Sequence, residues 1–154
     1  MKITVLCVGK IKEKYFTGAV EEYAKRLSRY CKLEIIEVTD EKTPDGASEA
    51  LEVQIKQKEA ERLLKYLPEY AYLILLANLG KQLSSEELSE TIRTLGVRGI
   101  SHIVFVIGGS LGLADDIMKR ADFLLSFSKL TFPHQMMRVM LLEQIYRSYR
   151  ILHG

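Results

Sequence analysis

Apolar residues gather in five short blocks, KITVLCV (2–8), KLEIIEV (32–38), AYLILLA (71–77), SHIVFVI (101–107) and DFLLSF (122–127), each of strand length and rich in β-branched or aliphatic side chains. Longer stretches with helical spacing separate them: Glu13–Tyr30, Ser48–Leu67, Ser84–Leu95, a short helical turn after Gly112, and a final helix from about Pro133 to Leu152. The third and fourth blocks are almost continuously apolar, which predicts strands covered on both sides. The pattern as a whole predicts an α/β fold, a mostly parallel sheet flanked by helices on both faces, in a single domain spanning residues 1–154. Ser84 with Glu87 three residues later forms a capping box, and Ser48 is a candidate N-cap. The one linker-like stretch, TDEKTPDGAS at 39–48, is too short to divide the chain.

Composition agrees with this picture. At 154 residues, 47% hydrophobic and 27% charged, the chain can bury a substantial core and carries no disorder signature. No apolar run is long enough for a transmembrane helix, and MKITVLCVGK lacks a cleavage site and reads as a first strand. A cytoplasmic protein with no membrane association is expected. Cys7 and Cys31 have neither metal-ligand spacing nor a C-x-x-C arrangement, so free thiols and no metal site are expected. The small net charge of +2 conceals an uneven distribution. Residues 1–30 hold seven Lys/Arg against three Glu, and residues 117–154 hold six against two acidic residues, while the middle of the chain is acidic. If the two ends pack together they form a basic surface suited to an anionic partner.

In open parallel sheets, ligands bind beyond the carboxyl ends of the strands. The loops there are NLGKQLSS after residue 77, GGSLGL after 107 and SKLTFPHQ after 127, all rich in Gly, Ser or Thr. If they converge, they make a pocket with many backbone donors and few fixed charges, the outline of a cofactor site. The glycine loop Gly108–Gly112 matches neither common nucleotide fingerprint, and Asp115 and Asp116 just beyond it would repel a phosphate. His102, His134 and His153 show no metal spacing and no nucleophile partner; His102 is expected to be structural, and His134 lies beside the suspected pocket. The last helix is apolar around most of its circumference, with Met136, Met137, Met140, Leu141, Ile145 and Tyr149 on one side and Val139, Leu142 and Tyr146 on another. One sheet face cannot cover both sides, so a second copy packing against this helix is expected.

Taken together, KITVLCVGKIKEKY, FVIGGSLGL (105–113) and LSFSKLTFPHQMMRVMLLEQIYRSYR (125–150) resemble the ribosomal large-subunit methyltransferase H family of SPOUT methyltransferases, over essentially the whole chain. The resemblance implies a C-terminal deep trefoil knot, a homodimer formed through the C-terminal helix, and S-adenosylmethionine as cofactor. It also implies methylation of N3 of a pseudouridine in 23S ribosomal RNA, on the ribosome. Carried over by motif, the cofactor-binding residues would be Leu76, Gly108, Phe127, Ser128, Lys129, Leu130, Thr131 and Phe132. His134 and Arg138 are the candidates for handling the single proton that must leave the target ring. Tyr146 and Arg147 are candidates for RNA contact, and Lys10, Lys12, Lys14, Lys25, Arg26 and Arg29 for phosphate contact. Relatives continue past this point to a Tyr-His pair associated with the active site, which His153-Gly154 does not match, and Asn78 stands where relatives commonly carry an acidic residue. Two other readings of the residues are a flavodoxin-like nucleotide-binding module and a ribosome-binding dimer without catalysis.

Overall fold

A computed structural model describes residues 1–154. Five strands, β1 (Lys2–Val8), β2 (Lys32–Val38), β3 (Tyr72–Gln82), β4 (His102–Ile107) and β5 (Phe123–Ser126), form one sheet in the order β2-β1-β4-β3-β5, parallel throughout. Helices α1 (Lys14–Leu27), α2 (Glu49–Leu64), α3 (Ser85–Val97), α4 (Asp115–Met118) and α5 (His134–His153) connect and cover the strands.

Strand alternation assigns each side chain to one of two cores. Ile3, Val5 and Cys7 of β1 and Ile103, Phe105 and Ile107 of β4 point to the side covered by α1, α3 and α5. Leu6, Val8, Val104 and Val106 point to the other side, where Leu63 of α2 and Ile117 of α4 meet them. Every residue of β4 is buried, which accounts for its uninterrupted hydrophobicity.

The two cap expectations hold. Ser84 accepts a hydrogen bond from the Glu87 N–H while the Glu87 carboxylate accepts from the Ser84 N–H, and the Ser48 hydroxyl accepts from the Leu51 N–H. α1 and α2 finish about three residues earlier than their apolar spacing suggests, because Ser28–Tyr30 and Lys65–Leu67 tighten into turns before the next strand. The larger departure is β3. Its expected end at residue 77 is only a pause: the chain arches out at 77–80 and returns, so that Leu125 of β5 is registered against both Leu76 and Lys81. The expected free loop is thus partly strand, held by backbone pairing on both sides of the arch. A Cβ added at Gly80 would lie 2.6 Å from the Leu124 carbonyl oxygen, so no other residue fits the crossing without moving backbone.

α5 lies between α1 and α3, which brings both basic ends of the chain together. It is more completely covered by its own chain than its apolar circumference suggests: Leu141, Leu142, Ile145 and Tyr149 are buried, while Met136 and Ile151 remain exposed.

Candidate active site

The three suspected loops do converge. Together with the start of α5 they enclose a cavity of about 740 Å³ at the carboxyl end of the sheet, within the size range of small-molecule sites. Leu76 to Leu79 come from the β3 arch, Ile107 to Leu113 from the glycine loop, and Phe127 and Thr131 to His134 from the segment that leads into α5.

Each wall has a local cause. In the glycine loop, the Gly112 N–H donates to the Gly109 carbonyl at 3.0 Å and Gly112 takes φ +88°, closing a turn that folds Leu113 back. A Cβ at Gly108 would come within 2.9 Å of Leu113, and one at Gly109 within 3.0 Å of Glu59, a buried carboxylate beneath the loop. In the hydroxyl-rich segment, Ser126 donates to the Ser128 carbonyl and the Ser128 hydroxyl accepts from the Leu130 N–H, both at 3.0 Å. These serines shape the loop through its own hydrogen bonds. Asn78 donates to the Thr131 hydroxyl at 3.4 Å, joining the β3 arch to that segment across the cavity wall.

Of the residues expected to bind cofactor, Leu76, Gly108, Phe127, Thr131 and Phe132 line the cavity, whereas Ser128, Lys129 and Leu130 do not; Lys129 and Leu130 are exposed. His134 is on the wall. Arg138 is not: it is only 2% exposed, with one guanidinium nitrogen on Glu37 at 2.5 Å and the other on the Gly9 carbonyl at 3.0 Å. Spacing did not reveal this, because Glu37 and Gly9 lie about a hundred residues away in sequence. Gly9 itself had a visible signal, a glycine directly after a strand, and its φ of +94° places it against the His134 ring, where a Cβ would sit 3.2 Å from Cε1.

The electrostatics favour a neutral imidazole. Burial first, then the Arg138 guanidinium and Lys12, hold His134 below the usual histidine range, with Asp40 opposing. Its Nδ1 is buried without a hydrogen-bond partner. His102, at the opposite end of the sheet, shares a 2.8 Å hydrogen bond with Thr4 and plays no part in the cavity.

Among the RNA candidates, Lys10, Lys12 and Lys14 are exposed on the loop and helix start beside the cavity, where the Lys12 N–H donates to Gln135 of α5. Lys25, Arg26 and Arg29 sit on the last turn of α1 or just past it, toward the other end of the sheet; Arg26 pairs with Glu22 and lies over the Tyr23 and Tyr146 rings. Tyr146 is half-buried among aromatics, and Arg147 pairs with Glu143. No group of three or more His, Cys, Asp or Glu side chains is arranged to hold a metal, and no helix is long and apolar enough to cross a membrane.

A parallel α/β sheet with a large, weakly charged cavity built from glycine and hydroxyl loops at its carboxyl end has the architecture of a small-molecule site. A family model described as "Predicted SPOUT methyltransferase" matches residues 1–154, which sets the class. Proteins named ribosomal RNA large subunit methyltransferase H from Bifidobacterium adolescentis and Clostridium novyi are 62% and 60% identical to it across all of this chain and 97% of their own length. The same name belongs to a Clostridium kluyveri protein, 57% identical over the same shares. Within the SPOUT methyltransferases, this chain belongs to the ribosomal RNA large subunit methyltransferase H family.

Proposed function

We propose that the protein is an S-adenosylmethionine-dependent methyltransferase of 23S ribosomal RNA that methylates N3 of a pseudouridine, acting on the ribosome in the cytoplasm as a homodimer. The observation that carries this reading is the cavity, which joins the loops after β3, β4 and β5 in a chain that matches ribosomal RNA large subunit methyltransferases H over all of its own length and 97% of theirs.

The residues suit such a cofactor. Apolar side chains such as Leu76, Leu111 and Phe127 offer faces for an adenine ring, and the glycine loop lets backbone approach a ligand closely. S-adenosylmethionine, when bound, supplies an already activated methyl group, which leaves this chain to align donor and acceptor and to manage one proton. His134, neutral at physiological pH and on the cavity wall, is the residue suited to accept the ring N–H proton. Lys10, Lys12 and Lys14 on the same side would hold phosphates of the RNA.

The knot and the dimer draw support from the fold. The β3 arch, pairing with β5 before and after its excursion and crossing it at Gly80, supports a knotted chain. Exposed Leu79, Leu130 and Met136, and a groove of about 410 Å³ between α3 and α5 lined by Leu83, Leu88 and Met140, are apolar surface that a second copy would cover.

Calorimetric titration with S-adenosylmethionine and S-adenosylhomocysteine tests the proposal. Saturable binding is expected, lost in Gly108→Arg, whose side chain has no room between Leu113 and Gly112. A folded wild-type protein that binds neither would overturn the methyltransferase reading in favour of RNA binding without catalysis.

A further inference from the structure

Arg138 is the largest fully buried side chain in the molecule, and its two guanidinium hydrogen bonds reach elements distant in sequence. Glu37, at the end of β2, also accepts from the Ile11 N–H at 3.1 Å. The loop between β1 and α1 is therefore fastened three times: at the Gly9 carbonyl by Arg138, at Ile11 by Glu37, and at Lys12 by Gln135. That loop is the surface behind the His134 ring, because a Cβ added at Gly9 would lie 3.2 Å from Cε1. An ion pair with Arg138 buried and Glu37 one-third exposed adds little net stability compared with apolar packing, so its clearer consequence is geometric, the fastening of this loop.

We propose that Arg138 is a positioning residue: by fixing Glu37 and the Gly9 carbonyl, it sets the floor beneath His134 and the charge beside it, and so determines how the imidazole is presented to the cavity. This rests on the methyltransferase reading for its consequence but not for its geometry. Arg138 itself does not meet the reacting atoms, since the cavity wall ends at Met137.

The charged groups facing His134 are Arg138 on its own helix, Lys12 on the β1–α1 loop and Asp40 after β2, with Glu37 acting on it through Arg138. Removing one member of the pair or the other therefore moves the balance in opposite directions. Without Arg138, the Glu37 anion is left unmatched and protonation of His134 becomes easier; without the Glu37 charge, the Arg138 cation is left unmatched and protonation becomes harder.

NMR titration of the His134 imidazole in the purified, cofactor-free protein reads this directly. In Glu37→Gln, a near-isosteric change at a one-third-exposed side chain, the midpoint should fall relative to wild type. In Arg138→Met it should rise. Midpoints unchanged in both variants, or moved in the same direction, would overturn the proposal, and if Arg138→Met does not fold, an unmoved or raised midpoint in Glu37→Gln does so alone. Methyl transfer supplies the second readout: both variants should lose about tenfold to a hundredfold in kcat with cofactor affinity retained, as expected for a misplaced proton acceptor. The acid limb of the pH–rate profile should track the NMR midpoint. A midpoint that moves while the acid limb stays still would leave the positioning role intact and remove His134 as the base.

Discussion

At the amino end of the sheet, Tyr30 stacks on Tyr149 at 5.6 Å and on His153 at 5.2 Å, with Arg29 over the Tyr30 ring. At the carboxyl end, the same helix that carries Tyr149 begins with His134 and Arg138, each holding a buried nitrogen without a partner, around a cavity of about 740 Å³. The aromatic end fills its space; the cavity end leaves space open and keeps it open with backbone shapes that only glycine adopts or tolerates. α5 spans both ends, so the two have different jobs although one helix builds them. Stability is concentrated in aromatic and aliphatic packing, whereas the site is made of close backbone crossings and fastened charges that a folding core alone would not call for.

The sharpest contrast is between two glycines. Gly80→Ala at the cavity end forces a Cβ against the Leu124 carbonyl, and it should cost about 3 kcal/mol by chemical denaturation. Gly96→Ala, near the amino end in α3, meets only the tip of Met1 at 3.9 Å and should stabilise by about 0.5 kcal/mol through helix propensity. Equal effects at the two sites would break the distinction between a constrained and an ordinary end.

A middle-sized effect comes from pH. Burial foremost depresses both His102 and His134 below the histidine value of about 6.5, so the unfolded chain binds more protons than the folded one as pH falls below that value. Stability should therefore decrease from pH 7 to pH 5 in thermal melts. His134→Gln and His102→Gln, measured separately, would each flatten part of that decline and show how it divides between the ends.

The smallest change is expected at Tyr149, whose hydroxyl is buried without a partner. Tyr149→Phe should alter stability by less than about 0.5 kcal/mol, where deleting a hydrogen-bonded hydroxyl typically costs about 1 kcal/mol. A loss well above that would mean that the amino end also depends on polar contacts, and the contrast with Arg138 would weaken.

Many of these features were legible before the fold was known. The five strands, the burial of β4 on both faces and the capping box at Ser84 arise from side-chain periodicity and local hydrogen bonding, which a short window of sequence contains. The three loops of the cavity were legible too, since the carboxyl ends of parallel strands are where such sites form, and Leu76, Gly108, Phe127, Thr131, Phe132 and His134 all line it. The return of β3 at Lys81 was not, because residues 78–80 have the composition of a loop and only pairing with β5 makes Lys81 and Gln82 part of a strand. Nor was the local role of Ser128, one of the residues expected at the cofactor, whose hydroxyl accepts from the Leu130 N–H and holds its own loop.

The order of residues alone dictated which segments become strands and helices, how they alternate and the end of the sheet at which a site forms, because those properties depend on neighbours within a few residues. It took the packed chain to direct Arg138 to Glu37 and Gly9 rather than to the cavity, to pass Gly80 beneath a carbonyl, and to set Gly9 behind the His134 ring. Those contacts join residues tens to more than a hundred positions apart, and their energies arise from burial and close approach that exist only once the chain is packed.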